Sequence, residues 1–131
     1  MRATGEFEVD LQPLDPFTPG RADIHLHRLS ITKTFTGDLA ANSLGEMLSA
    51  QTTVQDSAGY VAIEQVDGAL HGRIGTFVLQ HYGIVNRGEQ LLILEVVPDS
   101  GTGHLEKLAG KMIIQIENGK HFYEFNYSLP A

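Results

Sequence analysis

A chain of 131 residues with a net charge of −7 and no cysteine holds one domain, residues 1–131, long enough to bury a core without covalent staples. The missing cysteines exclude disulfides, thiolate nucleophiles and cysteine-ligated metals, and they suit a reducing compartment. Acidic residues are dispersed and no Lys/Arg cluster exists, which argues against nucleic acid as a partner. Residues 1–10 contain no apolar leader segment, and the most apolar run, residues 91–97, holds Glu95 and is far too short to span a bilayer. The expectation is a cytoplasmic protein with no membrane partner.

In chain order, residues 5–12 alternate Phe7, Val9 and Leu11 against Glu6, Glu8 and Asp10, the pattern of a half-buried strand. Residues 13–20 carry three prolines and form a connector. Residues 25–36 are a long strand rich in β-branched side chains. Thr36-Gly37-Asp38 turns it into a segment reaching about residue 54, and residues 56–59 form the next turn. Residues 60–66 are a strand, Asp67-Gly68 a hairpin signal, and residues 69–85 the return. Residues 86–89 turn into the strand 90–97. Residues 99–110 are irregular, with one helical turn at 105–108. Residues 111–117, Asn118-Gly119 and 121–128 make a last hairpin. No helix-length periodicity, repeat or low-complexity segment appears. About eight antiparallel strands in up-and-down order predict an all-β fold that closes into a meander barrel or folds into a sandwich. Closure removes the edges and leaves room for side chains or one small ligand.

Two-residue turns set the register, and the register sets which side chains share a face. With Asn118-Gly119 at the tip, Ile116 opposes His121, Ile114 opposes Tyr123 and Met112 opposes Phe125. With Arg87-Gly88 at the tip, Gln80 opposes Glu95 on a face shared with Tyr82, Ile93, Val78 and Val97. With Asp67-Gly68 at the tip, Glu64 opposes His71, and Val61, Ile63, Ile74 and Val78 form the core face. Bulges at Gly72 or Gly75 would invert that parity, so alternation leaves both faces open to Glu64.

The Gln80–Glu95 pair, with Glu46, Glu64, Tyr60 and Tyr82 as candidate neighbours, is the most informative polar set. A carboxylate inside a barrel must be hydrogen-bonded, and desolvation would raise its pKa towards general acid or base work. The plain alternative is a structural hydrogen-bonded pair or an outward face. Asp99-Ser100-Gly101-Thr102 resembles the active-site loop of aspartic proteases. However, such enzymes need two loops, and Pro98 ends the strand first, so the stretch is read as a turn. Gly101-Thr102-Gly103 lacks the rest of any phosphate-binding motif. His25-Leu26-His27 puts two imidazoles on one strand face without ligands at diagnostic spacing, so no metal is assigned. Residues 91–97, and Phe77, Val78 and Leu79, are apolar on both faces. Part of the exterior should therefore be covered, by the 13–24 connector or by a second subunit, and a homo-oligomer, first of all a dimer, is expected.

GEFEV, KTFTGDL…NSLGEMLSA, GYVAIEQVDGALHGRIGTFVLQHYG, LLILEVVPDSGTGHLEKLAG and HFYEFNYSLP together resemble a bacterial family, domain of unknown function 3224, over nearly the whole chain. The resemblance implies a closed eight-stranded meander similar to the barrel of allene oxide cyclase. It transfers no activity and no site residues.

Three functions follow. The first is binding of a small, largely apolar molecule in the barrel, oriented by Gln80, Glu95, Glu46, Tyr60 and Tyr82. The second is a cofactor-free isomerase or cyclase with Glu95 or Glu64 as acid or base. The third is a filled barrel serving as a structural or interaction module.

Overall fold

A computed structural model describes residues 1–130. Eight antiparallel strands follow one another around a closed barrel: β1 (Arg2–Leu14), β2 (His25–Gly37), β3 (Leu39–Gln51), β4 (Ala58–Leu70), β5 (Arg73–Asn86), β6 (Glu89–Val96), β7 (Ala109–Glu117) and β8 (Lys120–Ser128). The up-and-down order and the strand count are those the turn spacing predicts. β8 closes on β1 with Gly5 opposite Tyr123. No helix among the described residues is long and apolar enough to cross a membrane.

The tips of β5–β6 and β7–β8 are Arg87-Gly88 and Asn118-Gly119, each with two positive φ angles, which a right-twisted two-residue hairpin requires. Their registers follow: Gln80 opposes Glu95, and Ile114 opposes Tyr123. The β4–β5 hairpin differs from the expectation. Its tip is His71-Gly72, at φ 46° and 79°, and Glu64 opposes Leu79 rather than His71. Asp67-Gly68 lies within β4. A Cβ on Gly68 would sit 2.3 Å from the Ala40 carbonyl oxygen, so this glycine serves close strand approach. Running β4 on to Leu70 buries both Val66 and Leu70 completely, and that burial outweighs the turn preference of Asp-Gly.

The core is Phe7, Phe35, Leu39, Val66, Leu70, Phe77, Leu79, Leu94, Met112, Phe125 and their neighbours. In β4 the inward set is Ala62, Glu64 and Val66, and in β5 it is Phe77, Leu79 and His81. Val61, Ile63 and Ile74, expected in the core, are exposed on the outer face.

One end of the barrel is plugged. β6 stops before Pro98, and the following loop takes its place beside β5. Val97 N–H donates to the Val78 carbonyl, Val78 N–H to Ser100 Oγ, and Thr76 N–H to Thr102 Oγ1. A short 3₁₀ turn, Gly103–Leu105, then buries Leu105, with Leu108 behind it. Asp99-Ser100-Gly101-Thr102 is thus a turn whose hydroxyls satisfy strand donors. A Cβ on Gly101 would meet the Leu105 carbonyl oxygen at 1.9 Å. The opposite end is open. β6 and β7 pair only at Leu94–Met112 and Glu95–Lys111, away from this end, and the inward-parity residues Leu92 and Ile116 are exposed.

Candidate functional site

Four consecutive strands each turn one polar side chain into the barrel: Lys33 on β2, Ser43 on β3, Glu64 on β4 and His81 on β5. Lys33 opposes Ser43 directly. Gly45 opposes Glu64, and Ala62 opposes His81, so Ser43, Glu64 and His81 are diagonal neighbours within side-chain reach. Glu64 is 0% exposed. Its Oε2 accepts from Lys33 Nζ at 2.8 Å and pairs with His81 Nε2, and its Oε1 accepts from Ser43 Oγ at 2.8 Å. Lys33 Nζ also lies 4.9 Å from the Phe7 ring centroid and 5.7 Å from that of Phe35, within cation–π reach of both. Gly45 gives the carboxylate its space, because a Cβ there would come within 2.8 Å of Glu64 Cβ.

Burial by itself pushes the Glu64 pKa up. The hydrogen bond from His81 and the charge of Lys33 overcome that and hold it at about 2. The carboxylate is therefore ionised, and His81 Nε2 donates to it. Nε2 is the only His81 nitrogen with a hydrogen bond, and no fully buried side-chain polar atom among the described residues lacks a partner. In the neutral ring Nδ1 then carries the lone pair.

A cavity of about 270 Å³ at the mouth is lined by Met47, Ser49, Tyr60, Gly83, Val85 and Leu92, among others. Tyr60 bridges cavity and polar cluster, its ring centroid 6.2 Å from that of His81. Burial, and then the Glu64 charge, raise its phenol pKa. The Tyr60 ring lies over Gly83, where a Cβ would meet it at 2.2 Å. Gly45 thus leaves room for Glu64, and Gly83 for the Tyr60 ring. A hollow of about 620 Å³ lined in part by Glu95 and Lys111 is larger but lies open on the outer surface.

Of the residues expected to share a site, only Glu64 and Tyr60 do. Gln80 and Glu95 oppose each other as the turn predicts, yet both are exposed on the outer face. Tyr82 is outside and 47% exposed, and Glu46 is outside, where Arg28 Nε donates to it at 2.8 Å. The expectation that these four orient a ligand within the barrel is corrected. On β5 and β6 both faces are apolar, and the odd residues of β5 and the even ones of β6 are those that face inward. His25 and His27 stack with ring centroids 6.4 Å apart. No group of three His, Cys, Asp or Glu among the described residues is placed to hold a metal. Lys33, Ser43 and His81 were not singled out from sequence. The signal for His81 was its parity with Phe77 and Leu79, and for Lys33 its place between Ile31 and Phe35.

The family model described as "Protein of unknown function (DUF3224)" matches residues 3–127. A crystal structure of a protein of unknown function from that family, from Shewanella oneidensis MR-1, is 53% identical. The match covers 100% of this chain and 98% of that one, with a TM-score of 0.96. No curated protein matches the chain.

Proposed function

The chain belongs to the DUF3224 family of proteins of unknown function, so its role has to be inferred from its own side chains, and we propose that it binds a small, largely apolar molecule in the open mouth of the barrel, with the molecule's polar group directed at Tyr60 and His81. One observation carries this reading: a fully buried, ionised Glu64 tied to Lys33, Ser43 and His81, with Tyr60 standing between that cluster and an apolar cavity of about 270 Å³. Burying three ionisable groups costs folding free energy unless all are satisfied. Barrels that merely need filling use aliphatic side chains there. The cytoplasmic setting belongs to the same proposal and rests on the cysteine-free chain.

The test combines native mass spectrometry of the purified protein with titration of the apolar fluorophore N-phenyl-1-naphthylamine. Wild type is expected to carry a small molecule or to bind the probe. Ser49→Trp, which fills the mouth, should weaken probe binding at least tenfold while preserving the circular dichroism spectrum. A protein that carries nothing and ignores the probe would return the filled-barrel reading to first place.

A second reading, proton-transfer chemistry of an isomerase or cyclase type, is favoured by the Glu64–His81 hydrogen bond. The acid–base role then moves from Glu64, held ionised and weakly basic, to His81. Its Nδ1 takes the proton while Glu64 orients the ring and stabilises the imidazolium. Deprotonation of 5-nitrobenzisoxazole, which releases a coloured cyanophenolate, probes such a base. Activity that survives His81→Ala would refute this assignment. Glu95→Gln should affect neither binding nor turnover.

A further inference from the structure

We infer that the outer face of β3–β6 docks against the same face of a second copy of the chain. The registers align an unbroken apolar row across four strands: Leu48 opposes Val61, Val61 opposes Tyr82, and Tyr82 opposes Ile93. All four are outside and exposed, by 56, 50, 47 and 41% respectively. Ile84 and Leu91, directly paired, extend the row towards the mouth, and on its other side Ile63 and Leu44 stand exposed among Glu46, Gln80 and Gln65. The outer face of an antiparallel sheet is ordinarily polar, and a contiguous apolar patch of this size marks an interaction surface. These eight side chains present on the order of 700 Å², close to the ~800 Å² that each partner contributes to a stable interface.

The chain itself does not cover this face. The 13–24 connector makes its backbone hydrogen bonds locally, Ile24 to Arg21 and Leu26 to Pro19, touches Arg28 through the Asp15 carbonyl, and leaves Phe17 fully exposed. A molecule of net charge −7 is repelled by anionic lipid surfaces, and a second copy carries the same net charge, so the charges at the contact itself select the occupant. The rims of the patch, by contrast, carry both signs: Arg28 with Glu46 beside β3, and Glu95 opposite Lys111 beyond β6. A two-fold axis that exchanges the rims sets acid against base on each side, and the sheets stack face to face as in a sandwich. Ile84 and Leu91 also edge the mouth cavity, so the second copy would form part of its outer lip. That consequence rests on the ligand-binding reading, and the docking does not.

Sedimentation velocity from low-micromolar to hundred-micromolar protein, without ligand, tests the inference. Wild type should sediment with twice the 14.3 kDa chain mass. Val61→Glu and Tyr82→Glu, tested separately, should each weaken association at least tenfold with the circular dichroism spectrum unchanged. Ile113→Glu, on the exposed outer face of β7, should leave the dimer intact. A wild-type monomer at the highest concentration overturns the proposal. So does a dimer insensitive to both variants, which places the contact elsewhere. Flotation of a monomeric wild type with phosphatidylcholine vesicles would likewise overturn it and identify a lipid surface as the occupant.

Discussion

Glu64 and Glu95 are both strand carboxylates with apolar residues beside them on their own face, and their surroundings are opposite. Glu64 is sealed among Lys33, Ser43 and His81, whereas Glu95 stands on the outer face among Ile93, Gln80 and Lys111. The same contrast extends to whole faces. The interior of β2–β5 holds an ion-paired cluster, and the exterior of β3–β6 holds Leu48, Val61, Tyr82 and Ile93. Hydrophobicity alone therefore misassigns the faces. Near the cluster the inside is marked by glycine: Gly45 and Gly83 occupy inward positions where a Cβ would collide with Glu64 or Tyr60.

The contrast is tested most strongly by removing the buried charge. Glu64→Gln should destabilise the protein by about 3–5 kcal/mol in chemical denaturation, because Lys33 is left buried and unpaired. The double variant Lys33→Met/Glu64→Gln should recover part of that loss, and additive losses would show that the two charges do not act as a pair.

Acid comes next. The Glu64 pKa lies at about 2, below the ordinary 4.5, so the stabilisation from its ionised form is fully present above pH 4.5 and is lost as pH falls towards 2. It amounts to about 3 kcal/mol. Stability measured at pH 5 and at pH 2 should show this loss in wild type and not in Glu64→Gln. Equal acid sensitivity of the two would place the titrating group elsewhere.

Gly83→Ala should cost about 1–3 kcal/mol by displacing the Tyr60 ring, and pairing it with Tyr60→Ala should remove most of that cost. A thermal-denaturation cycle of the two variants measures the coupling. The smallest effect belongs to Glu95→Gln, within about 0.5 kcal/mol of wild type. A loss comparable to that of Glu64→Gln would erase the distinction between the two carboxylates.

By itself the sequence determined the number and order of strands and two of the three hairpin registers it proposed, and it left a closed barrel and a sandwich both open. These rest on local chemistry: positive φ at Arg87-Gly88 and Asn118-Gly119, and proline at the strand end. It determined that Gln80 meets Glu95, but not on which side. Strands apolar on both faces carry no alternation from which to choose, so parity was decided only when all eight strands packed together and the narrow interior accepted the small residues. The β4–β5 tip was also decided there, since burial of Val66 and Leu70 and the close fit of Gly68 against β3 outweighed a favourable Asp-Gly turn. The Lys33–Ser43–Glu64–His81 cluster draws on four strands and nearly fifty residues of chain, a meeting that depends on strand register and tilt, and no spacing along the sequence encodes it.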